Sequence, residues 1–210
     1  MRSILEVLNE CNHPVGIVTK SHLITRDVDI LADMAKRNLM MANLSVTTLD
    51  RGLARRLEPR AATPTKRLEA IRILADAGVP TGVMTAPIIP GLNDVEIEAI
   101  LEAAWEAGAR SAGKTLVRLP HGVKDLFRDW LAEHAPGRAK HIMALIKNTR
   151  AGKDNDPRFF ERMKGAGAYA EMINARWHAA AARLGFNKDR KKLDFSQFRP
   201  PRLDGQLALW

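Results

Sequence analysis

The feature that most constrains this chain is an alternation: four short runs rich in β-branched and apolar residues are each followed by one amphipathic helical segment. The first run, Val15-Gly16-Ile17-Val18-Thr19, lies between Pro14 and the polar Lys20-Ser21 and reads as a buried strand. Val28, Leu31 and Met34 then recur at helical spacing between Asp27 and Asn38, with Asp27 placed to complement the helix dipole. A second strand is predicted over Leu44–Leu49. The helix after it has Thr63 as cap, Pro64 at its first position, a stripe of Leu68, Ile71 and Leu74, and Gly78 just past its end. The third strand covers Thr81–Ile89 and meets a Pro90-Gly91 turn. Asn93 with Glu96 three residues on reads as a capping box for the next helix, which Gly108 closes. The fourth strand, Lys114–Leu119, stops at Pro120, and Leu126, Phe127, Trp130 and Leu131 mark the helix that follows.

Strands joined through single helices run parallel, with right-handed crossovers, so the fold class is α/β. Four such strands are compatible with an open doubly wound sheet or with part of a (β/α) barrel. After Pro136 only helical patterns remain, one around Ile142, Leu145 and Ile146 and one around Tyr169, Met172, Ile173, Arg176 and Trp177. The predicted organisation is therefore a β/α unit over 1–136 and a helical, basic extension over 137–210, irregular from Asn187 onward.

Charge follows the same division. Residues 1–136 carry 17 basic and 17 acidic side chains, whereas 137–202 carry 16 basic and 6 acidic, so the whole net charge of +9 arises in the last third. Such a segment attracts phosphate-rich partners through counterion release, and it also serves solubility. The single cysteine, Cys11, forbids an internal disulfide and suits a reducing compartment. No apolar run is long enough to span a bilayer, and the first 20 residues lack the order of a signal peptide, so a cytoplasmic protein is expected. The histidines show no ligand spacing and no zinc site is expected; neither a P-loop nor a G-x-G-x-x-G is present.

In parallel α/β folds ligands collect at the carboxyl ends of the strands. There the first strand delivers Lys20, a mobile point charge for a carboxylate or phosphate. The second presents the hydroxyls of Ser45 and Thr47 opposite Leu44 and Val46. In Leu57-Glu58-Pro59-Arg60, Arg60 can clamp a carboxylate or pair with Glu58. The third strand ends in Ala86-Pro87-Ile88-Ile89-Pro90-Gly91-Leu92-Asn93, stiff enough to lie along a flat ligand. His121, directly after the fourth strand, is a candidate for acid–base chemistry.

Taken together, Val18-Thr19-Lys20, Leu44-Ser45-Val46-Thr47, the stretch from Leu57-Glu58-Pro59-Arg60 through Thr63-Pro64 to Ala70, and Ala77-Gly78 through Gly82-Val83-Met84 to Ile88 resemble the later strands of a radical S-adenosylmethionine (SAM) enzyme of the spore-photoproduct-lyase-like group. The resemblance covers about half the chain, from Val15 to about Leu119. It implies a partial (β/α) barrel of which these would be the last four strands. By the resemblance, Lys20 would hold the carboxylate of SAM and Ser45 its polar portion, with Thr47, Arg60, Ile88 and Asn93 completing the cofactor site and the Ala86 to Asn93 segment beside the adenine. The family's C-x-x-x-C-x-x-C loop, which carries a [4Fe-4S] cluster, has no counterpart here, and Cys11 is read as a packing residue at the end of the first helix. No metal ligand is therefore assigned to this chain. The expectation is the C-terminal part of a radical SAM enzyme, with the missing strands preceding Met1, the cluster absent from this chain alone, and no catalysis from it alone.

A non-enzymatic alternative is a nucleic-acid-binding or scaffold protein acting through Arg150, Lys153, Arg158, Arg162 and Lys164 and through Lys188, Arg190, Lys191 and Lys192.

Overall fold

The structure is a computed structural model, described over residues 1–154, 161–189 and 191–200. Four parallel strands form one sheet: β1 (Val15–Thr19), β2 (Met40–Ser45), β3 (Thr81–Ile88) and β4 (Ser111–Leu116). The helices are α1 (Arg2–Glu10), α2 (Val28–Lys36), α3 (Arg51–Leu57), α4 (Pro64–Asp76), α5 (Ile97–Glu106), α6 (Val123–His134), α7 (Ala139–Asn148), α8 (Glu161–Lys164) and α9 (Ala168–Leu184).

Strand order in the sheet is the same as chain order, β1-β2-β3-β4. This decides between the two architectures left open above. Every crossover steps in the same direction, and right-handed crossovers that never reverse place all their helices on one face. A doubly wound sheet needs a reversal; a barrel wall does not. The molecule is a partial β/α barrel.

The two faces of the sheet differ accordingly. Toward the helices, Ala42, Leu44 and Val83 are fully buried with Leu31, Met34, Ile71, Leu74 and Leu101. On the opposite face Val18, Asn43, Gly82 and Ser111 lie in register across all four strands, and Val18 is 64% exposed. Glycine is required at the centre of that row, because a Cβ on Gly82 would stand 2.3 Å from Asn43 Oδ1 and 2.2 Å from Ser111 Oγ.

Two strands begin earlier than the sequence pattern places them. Strand β2 runs Met40–Ser45 rather than Leu44–Leu49, and β4 runs Ser111–Leu116 rather than Lys114–Leu119. In both, the early residues are poor strand formers chosen for fit: Asn43 leans over Gly82, and Gly113 leaves room for Met84, whose Sδ would lie 2.6 Å from an added Cβ. The later residues are extended loop spent on other contacts.

Helix α4 is capped as its sequence suggests, with Thr63 Oγ1 accepting from Lys66 N. Helix α5 is not. Neither Asn93 nor Glu96 makes a side-chain cap, and Glu96 reaches across to accept from Thr48 Oγ1 (2.8 Å) and Leu49 N (2.5 Å). The pair ties the strand ends together instead of closing a capping box.

Helix α9 packs on α5 and on the sheet, burying Ile173, Trp177 and Ala181 in the main core, with Trp177 Nε1 donating to Thr85 Oγ1 at 2.8 Å. Helices α6 and α7 form a second cluster with Ile89, Val117 and Leu119 at the strand ends. Residues 191–200 are irregular, as expected, and lie under the amino end of the sheet: Asp194 N donates to Asn38 O and Arg199 N to Cys11 O. Cys11 itself is the C-cap of α1 and half-exposed.

Candidate functional site

The carboxyl end of β1 and the segment joining α3 to α4 enclose a cavity of about 480 Å³ lined by Thr19, Lys20, Ser21, Glu58, Pro59, Arg60, Ala61 and Ala62. Glu58, at the end of α3, is its electrostatic centre. One carboxylate oxygen accepts from Lys20 Nζ and from Thr47 Oγ1 (2.9 Å), and the other accepts from Arg67 Nη2 (2.5 Å). Arg67, 2% exposed, spends its remaining donors on backbone: Nη1 on Ser45 O (2.9 Å) and Nε on Ala62 O (2.7 Å). Burial pushes the Glu58 pKa up, but the hydrogen bonds and charges of Lys20 and Arg67 outweigh it and hold the group below the usual carboxylate range. The site thus contains one carboxylate and two cations bonded to it, with Lys20 the partner that faces solvent: its side chain is 37% exposed against 11% for Glu58.

The local sequence explains how Glu58 arrives there. Asp50 Oδ1 accepts from Leu53 N (2.9 Å) and caps α3, a short helix with Arg55 and Arg56 in its last turn that the strand-and-helix rhythm passes over. Trp130 Nε1 on α6 donates to Arg56 O (3.0 Å) and holds the end of α3 in place. The Asp50 cap and the basic last turn were the signals available for α3. Nothing local marks Arg67 as the buried partner.

The residues singled out from sequence divide into three groups. Lys20 and Arg60 line the cavity together. Arg60 is exposed and makes no ion pair among the described residues, so the expected Arg60–Glu58 pair is replaced by Lys20 and Arg67, which reach Glu58 from β1 and α4. Ser45, Thr47, Ile88 and Asn93 are buried at the strand ends behind the cavity. Ser45 shares its sheet face with Met84 and Gly113; the Thr47 hydroxyl lies between Glu58 and the carbonyl of Ala86 (3.1 Å). Both ends of the Asn93 amide are engaged: Nδ2 donates to Thr47 O (2.7 Å) and Pro87 O (3.0 Å), and Oδ1 accepts from Ile89 N (2.6 Å). Asn93 therefore fixes the ends of β2 and β3 against each other. His121 stands apart, exposed on the loop between β4 and α6, with a left-handed backbone (φ 48°) and outside the cavity lining.

The basic extension is also less free than its composition suggests. Arg150 is 1% exposed and donates to the carbonyls of Leu116, Val117 and Arg162, so it belongs to the fold and not to a nucleic-acid surface. Arg176 and Arg183 pair with Glu98 (2.7 Å) and Glu102 (2.5 Å) on α5. Lys153, Lys164, Lys188, Lys191 and Lys192 are exposed, while Arg158 and Arg190 lie outside the described residues. No helix among the described residues is long and apolar enough to cross a membrane.

Among the described residues no group of three or more His, Cys, Asp and Glu side chains is placed to hold a metal ion, and the sequence holds one cysteine. A cubane cluster bound through three thiolates does not fit this chain by itself.

Comparison with known proteins finds relatives that share part of this chain. An uncharacterized protein of Mycobacterium tuberculosis is 30% identical over 138 residues, which is 65% of this chain and 41% of that protein. An uncharacterized protein of Acidianus two-tailed virus is 36% identical over 89 residues, 42% of this chain and 29% of the viral one. One from Methanocaldococcus jannaschii is 30% identical over 95 residues, 45% of this chain and 35% of that protein. The chain spans about two fifths of the length of its mycobacterial relative. Residues 1–104, the part of the chain that builds β1 to β3 and the cavity of Lys20 and Glu58, match the Radical SAM superfamily.

Proposed function

We propose that this chain is the C-terminal part of a radical SAM protein of the spore-photoproduct-lyase-like group, and that the cavity between the end of β1 and the α3–α4 segment receives the amino-acid portion of SAM. The observation that carries the reading is the Lys20–Glu58 pair at the mouth of that cavity. The α-amino acid end of SAM is a zwitterion, and a solvent-facing lysine paired with a carboxylate is its complement: Lys20, with Arg60 beside it, meets the carboxylate, and Glu58 meets the ammonium. Arg67 keeps Glu58 ionised and oriented while itself buried, with the Thr47 hydroxyl and the Ser45 carbonyl holding the pair from behind the cavity. In intact relatives the bound SAM is the source of a 5′-deoxyadenosyl radical, after reductive cleavage at a [4Fe-4S] cluster. The cluster does not fit the residues present here, so this chain's own part is to bind and orient. A separate N-terminal portion carrying the cysteine motif is the partner this reading requires. The substrate, a nucleic acid among the candidates, is not assigned by this cavity.

The test is titration of the whole chain with SAM and with methionine, followed by amide chemical shifts. Saturable shifts should appear for residues 19–21 and 58–62. Lys20→Ala should weaken binding about tenfold or more, since a charge-assisted hydrogen bond is worth roughly 1.5–3 kcal/mol. Absence of saturable shifts, or equal affinity in Lys20→Ala, would reject the assignment.

A further inference from the structure

The opposite edge of the sheet holds a second cluster that the SAM reading leaves unused. A cavity of about 420 Å³ between β4, α8 and α9 is lined by Ala112, Lys114, Lys164, Asn174, Trp177, His178 and Asn187. In β4, Lys114 is the register partner of Thr85, on the face that α9 covers. Its ammonium lies 4.4 Å from the centre of the Trp177 ring and donates to His178 Nε2 at 3.1 Å. Both contacts hold the charge in place without neutralising it.

No carboxylate lines this cavity, and neither Lys114 nor Lys164 forms an ion pair among the described residues. Desolvation, and then the charge of Lys164, lower the Lys114 pKa to about 8; burial and both lysines likewise depress His178. Two cations directed at one cavity with no counter-charge are destabilising unless an anion completes them. Asn174 adds an independent sign: its buried Oδ1 has no hydrogen-bond partner. A buried acceptor of this kind calls for a donor.

We propose that this cavity binds a phosphate monoester, with Lys114 and Lys164 contacting the phosphate oxygens and Asn174 accepting from a ligand hydroxyl. The monoester is favoured over a phosphodiester because its dianion matches the two lysines, where a diester carries a single negative charge. His178 and Trp177 are positioning residues that orient Lys114. The proposal does not depend on the SAM reading, since the two cavities share no residue and lie at opposite ends of the strand order.

The experiment follows tryptophan fluorescence of the whole chain during titration with inorganic phosphate, with ribose 5-phosphate, and with an unphosphorylated oligothymidylate, against chloride at matched ionic strength. Phosphate and ribose 5-phosphate should give a saturable change below roughly 10 mM. Lys164→Gln, an exposed side chain with no hydrogen bond or ion pair among the described residues, should weaken both about tenfold with unchanged circular dichroism. Lys114→Gln should do the same, and Lys20→Ala should not. A response identical to chloride, or full affinity in Lys164→Gln, would overturn the site. Tighter, Lys164-dependent binding of the oligothymidylate would overturn the monoester assignment in favour of a nucleic-acid backbone.

Discussion

The two edges of the sheet use the same residue type in opposite ways. At the β1 edge Lys20 meets Glu58, which Arg67 also holds, so the lysine has a carboxylate partner within the fold. At the β4 edge Lys114 faces Lys164 and His178 with no carboxylate among the lining residues. The strands differ in the same sense. The outer backbone of β4 is occupied by Asn187, whose side chain accepts from Ala112 N (3.0 Å) and donates to Ala112 O (3.1 Å), imitating a neighbouring strand. No strand among the described residues pairs with the outer side of β1, where Gly16 and Val18 are exposed. One edge is finished in backbone and gives its lysines no carboxylate; the other pairs its lysine with a carboxylate and is open in backbone. An open parallel edge leaves backbone donors and acceptors free to pair with another strand, while a closed edge with unpaired lysines is placed to recruit an anion.

The comparison is most severely tested at the buried arginine. Arg67→Met removes the cation from Glu58 and a donor from Ser45 O, and should destabilise the fold by about 3 kcal/mol, read from the urea midpoint. A loss under about 0.5 kcal/mol would show that Lys20 alone compensates Glu58. Because the Glu58 pKa lies below its ordinary value, this contribution is complete above the normal carboxylate range and is lost as pH falls through the depressed value.

A smaller effect is expected at the other edge. Asn187→Ala deletes both edge hydrogen bonds and should cost about 1 kcal/mol while promoting concentration-dependent association through β4, measured by light scattering. An unchanged scattering profile would mean that α9 and not Asn187 protects that edge.

The subtlest effect is a slope. The folded Lys114 pKa, about 8, lies below that of the unfolded chain, so between those values the unfolded state binds more protons and stability rises with pH. Lys114→Met should flatten that rise above pH 8 in a series of denaturation curves. Parallel curves for the two proteins would remove the uncompensated charge from the comparison.

Periodicity and punctuation were sufficient for the parallel α/β class, for β1 and β3, for the Thr63-Pro64 start of α4, and for locating the strand ends where Lys20 and Ser45 stand, because these depend on residues near one another in the chain. Other features required distant segments to meet. Strands β2 and β4 begin on Met40 and Ser111, where Asn43 and Gly113 are accepted for their fit against Gly82 and Met84, an advantage that appears only once the strands are paired. Asn93 and Glu96 look like a local cap but bond to Thr47, Thr48 and Leu49, more than 40 residues away. Glu58 lies 38 residues from Lys20 and 9 from Arg67. Whether Glu58 would be joined by Arg60, Lys20 or Arg67, and whether the sheet was open or a barrel wall, depended on which elements the crossovers brought side by side. Side-chain type and spacing set what each segment could do; strand order and burial decided which charges met.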